Sequence, residues 1–408
     1  MYVAKNYRLL GFIGMISFFG VIGCAERTSS KNVSLSTKNQ LKQVFKIEHV
    51  FADNKFDGAR LNGFVQPNDS TYQVQIFPEN VPVNNSPWYA FRIWSNKDTT
   101  VNLEIAYSEG FQNRYIPKIS PDGISWKPLN QKLFEIDSSK RTIKMELSLT
   151  PNKSWISAQE VIGSKQISNW LDSLATSENI KREKIGESVL GRPIDLVTID
   201  EKKSQKSILL IARQHPPEVP GGTISLMAFV QTILSNSDLA TQFRKDFKIY
   251  IFPLLNPDGV DLGNWRHNAN GVDLNRDWSS FSQPETKTVR DWFHNERQNN
   301  PNQRYCFGID FHTSYSGPYL LTLDTIPHKV KSDITSKWIG AIEHVKNETL
   351  DIRPRSQSLP YSYNWMINEV GMEAVTYEEG DEVDRKIVKN RAEIYANSLM
   401  RILMDKYD

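Results

Sequence analysis

The chain has 408 residues, 24% of them charged, with 49 Lys and Arg against 47 Asp and Glu and a formal net charge of +2. A chain of this length can bury two or three cores without staples, and its scattered Lys and Arg form no basic stripe, which argues against a nucleic-acid partner. Two cysteines, Cys24 and Cys306, cannot build a disulfide framework.

The amino terminus reads as an export signal. Lys5 and Arg8 precede the apolar block Leu9–Gly23, which is too short and too abruptly ended for a comfortable membrane span. The block closes in Val21-Ile22-Gly23-Cys24, which resembles a bacterial lipobox, whose cysteine becomes the lipidated first residue of the mature protein. Residues 1–24 are therefore expected to be a lipoprotein-type signal peptide, and the polar stretch 25–44 a tether. The body would then be secreted across the inner membrane and held to a bacterial envelope membrane, in the periplasm or at the cell surface, through lipid on Cys24. An ordinary cleaved signal or an uncleaved anchor is the simpler alternative.

Residues 45–155 alternate with period two. Tyr72, Val74 and Ile76 have polar neighbours, as do Tyr89, Phe91 and Ile93, then Val101, Leu103 and Ile105, then Ile143, Met145, Leu147 and Leu149. Turn signals such as Pro67-Asn68-Asp69 and Pro121-Asp122-Gly123 separate them, so the stretch is expected to form an antiparallel β-sandwich domain. It carries no His, Glu or Cys cluster and reads as a packing or substrate-orienting module.

From residue 156 to residue 408, strands are separated by helical segments. This predicts an α/β domain with a mixed, largely parallel central sheet flanked by helices. Strand candidates are Ser207–Ala212, Phe247–Leu255, Tyr305–Phe311 and Glu373–Glu378, and helices are expected over Pro284–Arg297 and Trp338–Glu348. Val388, Ala392, Tyr395, Leu399, Ile402 and Leu403 are spaced for one apolar helix face. Cys306 reads as a small buried hydrophobe.

The first of these strands runs into RQHPPEV, Arg213–Val219. Two interior prolines would break a helix, so His215 and Glu218 must lie in a loop. Gly221 and Gly222 then lead into a helical stripe of Ile224, Met227, Ala228 and Ile233. A loop that leaves the carboxyl end of a strand and enters a helix is the usual ligand position in open α/β sheets. The other strand ends also carry chemistry: Asn256-Pro257-Asp258-Gly259, Arg266 and Gly271–Arg276 after the second, His312 after the third, and Glu378 beside Glu379 on the last. His215, Glu218 and His312 make a His2Glu set, which suits a catalytic zinc ion with three protein ligands and an open fourth position. Alone the set is weak, because among seven histidines an HxxE pair arises by chance in roughly one chain in three.

The order of motifs over residues 160–405 resembles the zinc carboxypeptidase family, the carboxypeptidase A-like metallopeptidases. It runs through HxxE at His215 and Glu218, NPDG from Asn256, Arg266, GVDLNR ending at Arg276, PET from Pro284, His312 followed by Thr-Ser-Tyr, and TYEE at Glu378. The proline-bearing HxxE, together with WYAFRIW and SPDGISW in the preceding sandwich, is most similar to the cytosolic carboxypeptidase branch, whose members include enzymes that remove acidic residues. The resemblance implies one zinc ion per chain, held by His215, Glu218 and His312. It implies that Asp273 accepts a hydrogen bond from His215 and fixes its tautomer, that Asn275 and Arg276 grip the terminal carboxylate of the substrate, and that Arg266 stabilises an oxyanion. Glu378 is implied as the general base acting on zinc-bound water. Strand alternation would aim only one of the two glutamates inward, and family register, TY followed by Glu, makes that one Glu378 rather than Glu379.

The sequence also departs from the family. Pro216 and Pro217 stand where digestive members carry a polar residue and an arginine, so that arginine contact is lost. Tyr361 and Tyr363 are candidates for the active-site tyrosine, although the family spacing lands on Ser356. Arg353 and Arg355 hint at a pocket for an acidic side chain, or are surface arginines. His267, His294, His328 and His344 are expected to be ordinary surface histidines. The implied function is a zinc-dependent metallocarboxypeptidase that hydrolyses the C-terminal peptide bond of peptides or proteins outside the cytoplasm. Two alternatives stand beside it: the same machinery acting on peptidoglycan stem peptides, and a catalytically inactive membrane-tethered binding protein.

Overall fold

A computed structural model describes residues 40–407, apart from positions 138, 140, 176 and 325–332. The expected signal peptide, Cys24, most of the tether, and His328 lie outside the described residues. Among the described residues no helix is long and apolar enough to cross a membrane.

The alternating runs of residues 44–157 form two sheets. One has the spatial order Val44–Ile47, Val50–Asp53, Ala90–Ser95, Ser154–Ser157, Lys118–Ser120 and Lys127–Pro128. The other has Gly63–Asn68, Thr71–Ile76, Thr99–Tyr107, Thr142–Leu149 and Phe134–Asp137. Their apolar positions, among them Val74, Phe91, Leu103 and Ile143, are fully buried in one core, as expected when two pleated faces pack. The pairing is antiparallel except between Thr71–Ile76 and Thr99–Tyr107, which run parallel. Between these two strands the chain crosses to the facing sheet for Ala90–Ser95, so the second strand starts from the same end as the first. The side chain of Trp265, more than a hundred residues further on, completes this core, and its indole donates to Trp88 O at 3.0 Å.

The second sheet system has eight strands: β1 Ile180–Glu187, β2 Pro193–Ile199, β3 Lys206–Ala212, β4 Lys248–Phe252, β5 Arg304–Ser314, β6 Tyr319–Leu323, β7 Ile352–Arg355 and β8 Glu373–Gly380. Their spatial order is β1-β2-β4-β3-β5-β8-β6-β7. The pairs β4/β3, β3/β5, β5/β8 and β6/β7 are parallel and the other three antiparallel, so the sheet is mixed with a parallel centre, as the alternation of strands and helices predicts. Both faces are covered, which is why the central strands read as unbroken apolar runs. Ile208, Leu210 and Phe311 pack beneath the helices Leu226–Ile233, Ile334–Lys346 and Arg385–Tyr407, while Leu209, Ile211 and Tyr250 face Trp278 and the helix Pro284–Asn299. Strand β4 stops at Phe252, short of the predicted run, because Pro253 has no N–H for the ladder. Strand β5 continues past the predicted run to Ser314, and His312 therefore sits inside the ladder, paired with Glu378 of β8. Cys306 is buried at 3% exposure, as expected.

Candidate active site

Beyond Ala212 the chain turns through Arg213–Val219 and enters a π-helical turn, Pro220–Ser225, that runs on into the helix Leu226–Ile233. The HPPE stretch is thus a corner, not a helix. It is pinned from inside: Arg213, at φ +53, is almost wholly buried and donates to Pro216 O (2.9 Å), Ile162 O (3.2 Å) and Thr223 Oγ1. No carboxylate pairs with this cation among the described residues, and burial draws its pKa down to about 10 while the charges of Glu218 and Asp261 oppose the fall. On the far side of the corner Gly221 lies directly on β5. Its N–H donates to Thr313 Oγ1 at 2.7 Å, and a Cβ there would sit 1.7 Å from His312 O.

The corner and the strand bring three donors together. Glu218 bridges the two histidines, with Oε1 2.7 Å from His215 Nδ1 and Oε2 2.7 Å from His312 Nδ1. Each ring is backed by a second carboxylate on its other nitrogen: Asp273 Oδ1 lies 2.9 Å from His215 Nε2, and Asp310 Oδ2 lies 2.7 Å from His312 Nε2. Those carboxylates favour the proton on Nε2 and leave each Nδ1 lone pair aimed at the lone pairs of Glu218. Such an arrangement calls for positive charge between them, from protons or from a cation. Accordingly His312 is lifted well above the usual histidine range, since Asp310 and Glu218 outweigh its burial. Glu218 is held below the carboxylate range although its burial acts the other way, because the two histidines face it. The ligand atoms of His215, Glu218 and His312 all lie within 4.8 Å of one another. Nitrogen and carboxylate donors at that spacing fit zinc, whose ligands sit at roughly 2.0–2.2 Å in a tetrahedron.

Beside the triad, β8 sets Glu378 across from His312 of β5 and Tyr319 of β6. Its Oε2 is shielded from solvent and has no hydrogen-bond partner among the described residues. Burial raises its pKa to about 7, with the charges of Glu218 and Asp310 adding to the rise and those of His312 and Arg266 opposing it. Glu379 points to the opposite face of the sheet. There it accepts from Tyr377 Oη and pairs with Arg391 of the last helix, so it is fully occupied by structure.

These groups line a cavity of about 260 Å³ whose wall also holds Arg266, Asn275 and Arg276. Arg266 Nε donates to Asp273 Oδ2 at 2.6 Å, leaving its two Nη groups without partners among the described residues. Asp273 therefore ties Arg266 to His215, and its own acidity is raised; burial opposes this, but His215, Arg266 and Arg276 prevail. Arg276 lies over the ring of Tyr361 at 4.3 Å. Asn275 accepts from Ser362 N on its Oδ1, and its Nδ2 lies 3.2 Å from His312 Nε2. All eight residues expected from the sequence, His215, Glu218, Arg266, Asp273, Asn275, Arg276, His312 and Glu378, thus meet at one place. Of the two tyrosine candidates, Tyr361 lines the cavity and Tyr363 is buried in the core. Arg355 lines the cavity and carries no ion pair among the described residues, whereas Arg353 is paired with Asp351 at 2.7 Å and lies on Tyr319.

Several participants escape the motif reading. Asp310 is one, though strand periodicity could have found it, since residues two apart share a face and Asp310 precedes His312 by two. It is held by Gln214 Nε2 at 2.7 Å and by Ser362 Oγ, and Trp278 Nε1 in turn donates to Gln214 Oε1 at 2.7 Å. The sandwich supplies others. Arg114 reaches the cavity and pairs with Asp381 through two hydrogen bonds of 2.6 and 3.1 Å. Glu79 grips the segment that carries Arg266. His267, expected at the surface, is only 6% exposed, because its N–H donates to Glu79 and its Nδ1 lies 2.8 Å from Asn80 Oδ1. No short-range pattern ties residues 79–114 to residues 265–381.

The arrangement fits a three-ligand metal site with an open fourth position, beside a carboxylate oxygen without a hydrogen-bond partner among the described residues and an arginine-lined wall. Residues 167–317 match the profile of a family described as zinc carboxypeptidase. The chain is 33% identical over 288 residues to "Cytosolic carboxypeptidase 6" of Homo sapiens, covering 65% of this chain and 57% of that protein. It is also 33% identical over 163 residues to the Caenorhabditis elegans protein of the same name, covering 38% of this chain and 35% of that one. The chain thus spans less than two thirds of these relatives' own length. Its fold is shared with a metallo-carboxypeptidase from Burkholderia cenocepacia (TM-score 0.72, 18% identity, 88% of this chain and all of that one). A Pseudomonas aeruginosa metallo-carboxypeptidase in complex with (2-guanidinoethylmercapto)succinic acid is similar too (TM-score 0.71, 17% identity, 87% and 99%). The chain carries a zinc carboxypeptidase domain, with homologues among the cytosolic carboxypeptidases.

Proposed function

We propose that this chain is a zinc-dependent carboxypeptidase that hydrolyses the C-terminal peptide bond of peptides or proteins. The observation that carries the reading is the convergence on one cavity of His215, Glu218 and His312 with Arg266, Arg276 and Glu378, one oxygen of which has no hydrogen-bond partner among the described residues. Zinc, which His215, Glu218 and His312 would hold, would supply Lewis acidity toward a carbonyl and make a water more acidic. Glu378, with a free oxygen and a pKa near neutrality, takes the proton of the attacking water and returns it to the departing amine. The free Nη groups of Arg266 face the negative charge that develops on the carbonyl oxygen. Arg276, its plane set by Tyr361, binds the terminal carboxylate as a fork, with Asn275 beside it. Arg355, an unneutralised cation on the same wall, favours substrates whose last residue is acidic.

The purified full chain with one equivalent of zinc should release C-terminal amino acids from a mixed peptide library. Glu378→Gln should bind zinc as tightly and release none. If zinc is bound and no peptide is trimmed, the reading is wrong; muropeptides in the same assay, followed by mass, would show whether stem peptides are the substrate instead. Export and lipid anchoring at Cys24, and the division of the chain at residues 44 and 155, are part of the same proposal. They rest on the lipobox-like sequence and the change of periodicity, and incorporation of labelled palmitate that is lost in Cys24→Ala tests the anchor.

A further inference from the structure

We infer that Glu79, contributed by the N-terminal sandwich, is a positioning residue for Arg266. The inference rests on the carboxypeptidase reading above. Glu79 is 6% exposed, and its carboxylate accepts three consecutive backbone N–H groups: Trp265 at 2.7 Å on Oε2, then Arg266 at 3.0 Å and His267 at 2.8 Å on Oε1. Three successive amides that converge on one anion form a concave backbone nest, which fixes the dihedral angles on both sides of Arg266 and so the direction in which its side chain leaves. The neighbours of the nest are fastened to the sandwich as well. Arg60 donates to Gly263 O (2.8 Å) and Asn264 Oδ1 (2.8 Å), Trp265 is sunk in the sandwich core, and Asn80 donates to Gly271 O at 3.1 Å. From this anchored backbone the Arg266 side chain reaches Asp273 Oδ2, whose other oxygen holds His215. The sandwich thus fixes the oxyanion-binding arginine, a part of the site that the catalytic sheet does not hold by itself.

Glu79→Gln tests this, because an amide keeps the shape but turns an N–H donor toward the backbone donors of the nest. Losing one oxyanion donor costs about 100- to 1000-fold in kcat, and a misdirected one should cost roughly 10- to 100-fold, with KM within about twofold and zinc stoichiometry unchanged. In an Arg266→Ala background the same change should lower kcat by no more than about twofold. Asn80→Ala, which loosens the same segment from a partly exposed position, should give a smaller kcat loss that also vanishes without Arg266. It serves as the readout should Glu79→Gln fail to fold. Losses that multiply with that of Arg266→Ala, or that fall on KM alone, would overturn the inference. An inactive wild-type chain with zinc bound would instead overturn the carboxypeptidase reading on which it rests.

Discussion

Gly221 is the most demanding position in the site. A methyl group there would lie 1.7 Å from His312 O and 2.6 Å from His312 C, against ordinary contact from 3.4 Å. Both partners are backbone, so no rotamer change relieves the clash. Gly221→Ala must therefore separate the start of the helix from β5 by about 1.7 Å. The two sides carry different ligands, Glu218 three residues before the glycine and His312 on the strand. Metal ligand distances tolerate only about ±0.2 Å, and a misplacement of about 1 Å in a catalytic site can cost 100-fold in rate. The expected outcome is a loss of at least about 100-fold in kcat/KM with weakened zinc binding by chelator competition, and a stability cost of roughly 1–3 kcal/mol from overpacking. Gly340, inside the helix Ile334–Lys346 with open space around a would-be Cβ, is the control. Alanine there should stabilise by about 0.5–1 kcal/mol and leave activity alone. If Gly221→Ala binds zinc and turns over within twofold of the wild type, the close approach does not set the ligand geometry and the reasoning is refuted.

Other expectations follow from single contacts. Asp310→Asn should weaken zinc binding about 10- to 100-fold, because it removes the carboxylate that orients His312; an unchanged chelator titration would deny Asp310 that role. Glu79 has a pKa of about 2 against an ordinary 4.5; burial alone would raise it, but hydrogen bonds from His267 and the charge of Arg60 hold it down. A depressed carboxylate stabilises the fold above its unfolded pKa and loses that contribution as pH falls toward the folded value. The stability gap between wild type and Glu79→Gln, about 3 kcal/mol from this source at neutral pH, should therefore narrow between pH 5 and pH 2 in urea titrations, and a gap that does not change with pH would contradict the assignment. Arg355→Ala should lower kcat/KM for peptides ending in Asp or Glu roughly tenfold, a charge-assisted hydrogen bond's worth, and leave neutral C-termini unaffected. An equal loss on both would show that Arg355 reads no side chain.

Much of the site was legible because its motifs are local. HPPE and TYEE keep their donors within a few residues at the carboxyl end of an apolar strand, so strand periodicity and turn chemistry placed them, whereas GVDLNR lies beyond β4 and the helix Pro257–Leu262 and was placed by the order of the family motifs. The choice of Glu378 over Glu379 rested on family register together with alternation along β8, and Arg391 pairing with Glu379 on the far face gives its physical reason. Asp310 was within reach of the same rule. Arg353 and Arg355 were not separable by it, since their roles depend on what faces them: Asp351 and Tyr319 take up one, and the cavity receives the other.

The sequence by itself determined the kinds of layer, the four central strands of the second sheet and the residues able to hold a metal, because period, proline and glycine act over a few positions; the spatial order of the strands came from the tertiary structure. Only the tertiary structure decided that the sandwich belongs to the site. Glu79, Asn80 and Arg114 meet Trp265, Arg266, His267, Gly271 and Asp381 across 186 to 267 residues of chain. Carboxylates gripping backbone amides leave no periodic trace, since every residue but proline offers the same N–H.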